Sequence, residues 1–213
     1  MKTISKIRVM LVDDHFAMLM GLRACLKPEA DITVVAEATD GQQAIAQYRA
    51  HQPDITLMDL RLPQVDGIDA IRAICSEFPR ARIIALTTRR GDEDIHRAIE
   101  AGARSYLTKN MPRQEMLAAI RSLHEGRDYL PKEVQAALDQ RQSRPALSAR
   151  ELEVLRCLAR GRSNKEISSD LGIAEITVKN HITHLMVKMN VLDRLQAVVE
   201  AQRHGIIHLD DAS

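Results

Sequence analysis

Ile7-Arg8-Val9-Met10-Leu11-Val12-Asp13-Asp14-His15 runs from a largely apolar hexapeptide straight into two carboxylates and an imidazole. A short apolar run closed abruptly by polar residues reads as a strand buried on both faces. Four more such runs follow, Thr33–Ala38, Ile55–Met58, Ile83–Leu86 and Ser105–Leu107, bounded by Asp, Gly or Pro. Between them lie amphipathic stretches near residues 16–27, 41–51, 67–77, 92–101 and 112–125. Short strands alternating with helices predict an α/β fold, a doubly wound five-stranded parallel sheet with helices on both faces. Ligands in such sheets bind outside the C-terminal ends of the strands.

That edge is where the polar residues fall. Strand one would deliver Asp13 and Asp14 to it, strand three Asp59, strand four Thr87 and Thr88, and strand five Lys109. Three carboxylates there repel one another unless a cation or Lys109 offsets their charge. Hard oxygen donors with room left for water suit Mg²⁺. A single acid at a strand end commonly caps a loop, but polar residues closing four strands at one edge read as a site.

The pattern changes after Gly126. Pro131 suits the first position of a short helix, Lys132–Leu138. Asp139-Gln140-Arg141-Gln142-Ser143-Arg144-Pro145 is polar, aperiodic and closed by proline, the marks of a linker. No strand candidate follows; helices are predicted near 149–160, 164–171, 175–189 and 194–204. An α/β domain of residues 6–125 is thus followed by a linker with a short helix, 126–146, and a small all-α domain, 147–209. The 213 residues carry 30 basic and 29 acidic side chains, a formal net charge of +1 that points to no strongly charged partner. Three Tyr, two Phe and no Trp argue against stacking platforms for single-stranded nucleic acid. Cys25, Cys75 and Cys157 are isolated thiols, which suits a reducing cytosol. No apolar stretch nears about 18 residues and the run ending at Val12 is too short for a signal peptide, so a cytoplasmic protein with no membrane partner is expected.

Asp13-Asp14-His15, Met58-Asp59-Leu60-Arg61-Leu62-Pro63-Gln64-Val65-Asp66-Gly67, Leu86-Thr87-Thr88 and Ala101-Gly102-Ala103-Arg104-Ser105-Tyr106-Leu107-Thr108-Lys109 together resemble the receiver domain of a two-component response regulator. The resemblance spans about residues 6–125 and implies a flavodoxin-like fold. It also implies that Asp59 is the phosphoacceptor, receiving its phosphoryl group from a partner sensor histidine kinase. By the same resemblance Asp13, Asp14, Asp59 and the backbone carbonyl of Arg61 hold Mg²⁺. Lys109 would pair with the phosphoryl oxygens, Thr87 would hydrogen-bond to one, and Tyr106 would be the aromatic that reorients. The residue types suit that chemistry, because a carboxylate is a weak nucleophile toward an anionic donor and needs fixed positive charge in the transition state. Two departures stand out. Such regulators commonly follow Asp-Asp-His with Pro and later Arg, where this chain has Phe16 and Leu19. Many place Pro after the lysine, where this chain has Asn110; a cis bond there would cost about 3–4 kcal/mol without proline, so the loop is expected to differ.

In the second domain, Ser163 through Lys179 reads as helix, tight turn at Gly172, and helix, with Ser163 and Glu166 spaced as a capping box. This is a helix-turn-helix pattern, whose second helix enters the DNA major groove. Together with Leu147-Ser148-Ala149-Arg150-Glu151-Leu152-Glu153-Val154-Leu155, Gly161-Arg162-Ser163-Asn164-Lys165-Glu166-Ile167, Thr177-Val178-Lys179-Asn180-His181 and Lys188-Met189-Asn190-Val191, it resembles the LuxR-type DNA-binding domain. The two halves resemble a NarL/FixJ-type response regulator. On a wheel of about 100° per residue, Val178, Ile182, Leu185 and Met189 form one apolar stripe that should be core. Opposite it lie Ile176, Asn180, Thr183 and Val187, with Lys179 flanking. The resemblance independently puts DNA contacts at Lys179, Asn180 and Thr183; Asn can read adenine, and Lys can reach phosphate or guanine. His181 and His184 lack a third ligand and are not read as a metal pair.

The first helix carries a further expectation. Met18, Gly21, Leu22 and Cys25 share one side and should face the sheet, whereas Phe16 and Met20 point the other way beside Arg23 and Lys27. Similar receivers often pair through helices one and five, and such DNA sites are commonly two-fold. A homodimer formed on phosphorylation, with Phe16 and Met20 in its interface, is therefore expected. The function expected is a DNA-binding transcriptional regulator acting on double-stranded promoter DNA, not an enzyme. Aspartate-nucleophile phosphohydrolases resemble families with a second acid two residues on, where this chain has Arg61. A flavodoxin-like nucleotide binder needs a Gly- or hydroxyl-rich loop where Asp13-Asp14-His15 stands. The alternative is a phosphate-independent regulator with an atypically controlled receiver; the full set of Asp13, Asp14, Asp59, Thr87 and Lys109 argues against it.

Overall fold

The computed structural model describes residues 6–88 and 91–207. Two residues of the expected 147–209 domain, 208 and 209, lie outside the described set. The chain divides into two compact units: residues through 88 with Ile95–Gln135, and Gly91–Asp94 with the residues from Ala136 onward.

The first unit holds β1 (Ile7–Val12), α1 (Phe16–Leu26), β2 (Ile32–Ala38), α2 (Gly41–His51), β3 (Ile55–Asp59), α3 (Gly67–Glu77), β4 (Ile83–Thr87), most of α4 (Asp92–Glu100), β5 (Ser105–Thr108) and α5 (Arg113–His124). The strands form one parallel sheet in the order β2-β1-β3-β4-β5. β3, β4 and β5 are buried throughout, which is why they read as continuous apolar runs. On one face Val9, Leu11, Leu57 and Leu86 meet Leu19, Leu22 and Leu26 of α1 and Ile120 and Leu123 of α5. Met10 and Met58, at alternate positions, are wholly buried toward the other face. Helix starts follow their caps: Asp40 accepts from the Gln43 amide at 2.7 Å, and Asp66 from the Ile68 amide at 2.9 Å.

Two expectations need correction. Gly21 is exposed, and the residues of α1 that reach the core are Leu19, Leu22 and Leu26, with Met18 and Cys25 half-buried at the margin. Nearly every residue of Phe16–Leu26 is apolar or small, so composition alone does not fix which side turns inward. The other correction concerns the segment after Leu138. α6 covers Lys132–Ser143 and takes in most of the stretch expected to be linker. Gln and Arg are good helix formers without any apolar period, and the helix ends only where Arg144 precedes Pro145.

The second unit continues with α7 (Ala149–Ala159), α8 (Asn164–Leu171), α9 (Glu175–Met189) and α10 (Arg194–Arg203). Its core gathers Val154, Leu155, Leu158, Ile167, Val178, Leu185 and Ala197, with Ile182 and Met189 packed against it. The predicted apolar stripe of α9 therefore faces inward. Ser163 and Glu166 form the capping box that starts α8, and Ser148 with Glu151 forms a second at α7.

Candidate functional site

Strand register assembles the acidic pocket. Val12 lies opposite Met58, so Asp13 and Asp59, one residue further on, emerge side by side from β1 and β3. Asp59 pairs with Leu86 and Thr87 with Thr108, which brings Thr87 and Lys109 off the neighbouring strands at the same edge. Strand order reverses between β1 and β3, the switch point where such sheets form ligand crevices. α3 enters close by. A Cβ built on Gly67 would lie 2.0 Å from the Asp59 carbonyl oxygen, so only glycine lets that helix start so near β3.

Within the pocket Asp13 and Asp59 are buried and Asp14 is exposed. Lys109 Nζ sits 2.6 Å from Asp13 Oδ2 and 2.6 Å from Asp59 Oδ2. The Lys109 amide donates to the Thr87 carbonyl at 2.7 Å, which ties β5 to β4 as the chain leaves the sheet. The Arg61 amide donates to Asp59 Oδ1 at 3.2 Å, and the His15 amide to Asp13 Oδ1 at 3.0 Å. His15 Nδ1 lies 2.6 Å from Asp14 Oδ1. Thr87 is buried, and Tyr106 is wholly so. The Lys109–Asn110 bond is trans.

Charge in this pocket is unevenly balanced. Burial is the main influence on Asp59 and pushes its carboxyl above the usual range; hydrogen bonding to Lys109 opposes the shift without cancelling it, and Asp13 adds to it. Burial disfavours the Lys109 ammonium, but the hydrogen bonds to Asp13 and Asp59 outweigh it and raise the lysine pKa. One cation thus faces two buried carboxylates, with Asp14 beside them. Ligand atoms of Asp13, Asp14, His15 and Asp59 lie within 4.8 Å of one another. Clustered carboxylate oxygens with negative charge left over after Lys109 fit a hard divalent cation. His15 is the member of this group that the sequence reading left out, although it directly follows the acidic pair.

The helical unit presents a separate surface. α8 closes with Gly172 at φ 63°, the left-handed turn that redirects the chain toward α9. Asn180 and Thr183 are exposed on α9 opposite buried Val178 and Leu185, and Lys179 is exposed on the flank between them. Thr183 Oγ1 donates to the Lys179 carbonyl at 3.0 Å, leaving its oxygen free to accept a further bond. The geometry also contains a pair the sequence reading missed: buried Glu151 of α7 lies 2.7 Å from Lys188 Nζ of α9.

A five-stranded parallel sheet with an acidic pocket at its switch point, followed by a helix-turn-helix unit, defines a class of two-domain regulators. Residues 9–121 match the profile of the response regulator receiver domain, and residues 145–201 that of the bacterial regulatory proteins of the luxR family. The chain belongs to the response regulators that couple a receiver to a LuxR-type DNA-binding domain, and it is a DNA-binding transcriptional regulator. It is 40% identical over 210 residues to the transcriptional regulatory protein LiaR of Bacillus subtilis (strain 168), covering 95% of this chain and 100% of the relative. Among solved structures it is similar to the response regulator ChrA of a heme-sensing two-component system, at 40% identity, 95% and 100% coverage and a TM-score of 0.58. It is also similar to the two-component response regulator RcsB in its DNA complex, at 25% identity, 93% and 99% coverage and a TM-score of 0.70. Among the described residues no helix is long and apolar enough to cross a membrane.

Proposed function

We propose that this regulator holds its signal as a phosphoryl group on Asp59, received from a sensor histidine kinase in the cytoplasm. The observation that carries the proposal is the Lys109 ammonium held 2.6 Å from both Asp13 and Asp59 at the β1/β3 edge. A carboxylate oxygen of Asp59 attacks phosphorus as the donor's N–P bond breaks, forming an acyl phosphate. Lys109 is positioned to exchange its carboxylate partner for a phosphoryl oxygen, a charge-assisted bond that favours the product. Thr87, on the adjacent strand, would donate its hydroxyl to another phosphoryl oxygen, and buried Tyr106 would follow as the switch. Asp13, Asp14, Asp59 and the carbonyl of Arg61 would hold Mg²⁺, which when bound supplies positive charge against the phosphoryl oxygens.

On the helical unit, Asn180, Thr183 and Lys179 would contact promoter DNA, Asn180 through base edges and Lys179 through phosphate or guanine. Phosphorylation would favour a receiver homodimer built partly on Phe16 and Met20. Incubation with acetyl phosphate and Mg²⁺ followed by intact-mass measurement tests the site. Wild type is expected to gain one phosphoryl group and Asp59→Asn none; label retained by Asp59→Asn would move the acceptor to another residue.

A further inference from the structure

Two apolar side chains stand largely exposed on the outward face of α9. Ile176 is 64% exposed and Val187 74%, and neither belongs to the helical core. They lie in register with the proposed DNA contacts: Ile176, Asn180, Thr183 and Val187 recur at intervals of four, three and four, one line along the helix. Ile176 is in the first turn of α9, and the N-terminal residues of a recognition helix are those that reach base edges. Val187 lies about 16 Å further along the axis, in the last turn of α9 and away from that N-terminal end. Ile176 is therefore the apolar residue within reach of the bases, and Val187 the one beyond it.

The base edges of the major groove offer one apolar group, the 5-methyl of thymine. We propose that Ile176 reads thymine by packing on that methyl, which makes it a specificity-determining residue beside Asn180. This inference rests on the proposed DNA-facing role of α9 and adds to it the identity of one base. The polar residues beside Ile176 favour DNA as the occupant over a protein surface, since Asn180 and Thr183 in line with it and Lys179 on the flank offer donors and charge suited to bases and phosphates.

The test uses the full chain and a duplex selected with it from a randomised pool. Each thymine of the selected site is replaced in turn by deoxyuridine, which lacks only the 5-methyl, and binding is followed by fluorescence anisotropy. Wild type is expected to lose about fourfold in affinity at one thymine of each half-site, the value of burying one methyl-sized group. Ile176→Ala should bind the unmodified duplex more weakly than wild type does and lose nothing further at that deoxyuridine. Exposure of Ile176 means that the variant should melt as wild type does. Equal sensitivity of both proteins to every deoxyuridine, or sensitivity of neither, would overturn the assignment. If Asn180→Ala and Lys179→Ala leave affinity and sequence preference unchanged, the DNA-facing reading of α9 fails instead.

Discussion

The Lys109 ammonium offsets two buried carboxylates, and in the proposed mechanism it would also meet a phosphoryl oxygen. Lys109→Met leaves Asp13 and Asp59 facing each other, and breaking a buried ion pair costs about 3–5 kcal/mol when nothing replaces it. Proton uptake by a carboxylate relieves part of this, so the unfolding midpoint at pH 7 is expected to fall, and added Mg²⁺ to restore more stability to the variant than to wild type. Scanning calorimetry with and without Mg²⁺ checks it; an unchanged midpoint would mean that the pair contributes nothing net. The acidic residues were legible in the sequence because each terminates an apolar run, and strand ends at one edge converge whatever the side-chain details. The 2.6 Å contacts of Lys109 were not legible, because they depend on the register of β4 against β5. The place of His15 among the pocket's ligand atoms was not legible, because adjacency in sequence does not say that its imidazole turns back to Asp14.

Among the elements, α9 shows where periodicity is a reliable guide and α1 where it is not. Val178 and Leu185 stand out on α9 because Asn180 and Thr183 interrupt the opposite face, whereas α1 is apolar or small at nearly every position and the inward side is decided by packing on the sheet. α6 exposed a different limit: a polar stretch carries no period, yet its residues still favour helix. The Glu151–Lys188 pair joins α7 to α9 across positions that no local pattern relates. Burial works to raise the Glu151 pKa, but Lys188 and the Ser148 amide outweigh it and hold the carboxyl below its ordinary 4.5. A depressed folded-state pKa gives stability that is present above the unfolded value and lost as pH falls through the folded one. Glu151→Gln is expected to lower stability by about 1–3 kcal/mol at pH 7. In urea titrations the gap from wild type should close as pH falls below 4.5; a gap constant with pH would assign the loss to packing rather than to charge.

At the scale of the whole molecule, the proposed function requires the receiver to change what the DNA-binding unit does. Phe16 and Met20, the residues proposed to meet a second copy of the chain, are 76% and 50% exposed on α1. Phe16→Glu with Met20→Glu is expected to leave phosphorylation of Asp59 intact and to weaken dimerisation of the phosphorylated protein in sedimentation velocity. Dimerisation at wild-type affinity would place the interface elsewhere. The central claim, that chemistry at Asp59 governs DNA binding, is tested most directly by the affinity of the full chain for a selected duplex with and without beryllofluoride and Mg²⁺. Wild type should bind at least about tenfold more tightly with the phosphoryl mimic, within the usual range of coupling between sites, and Asp59→Asn should not respond. Equal affinity of wild type in both conditions would contradict the account.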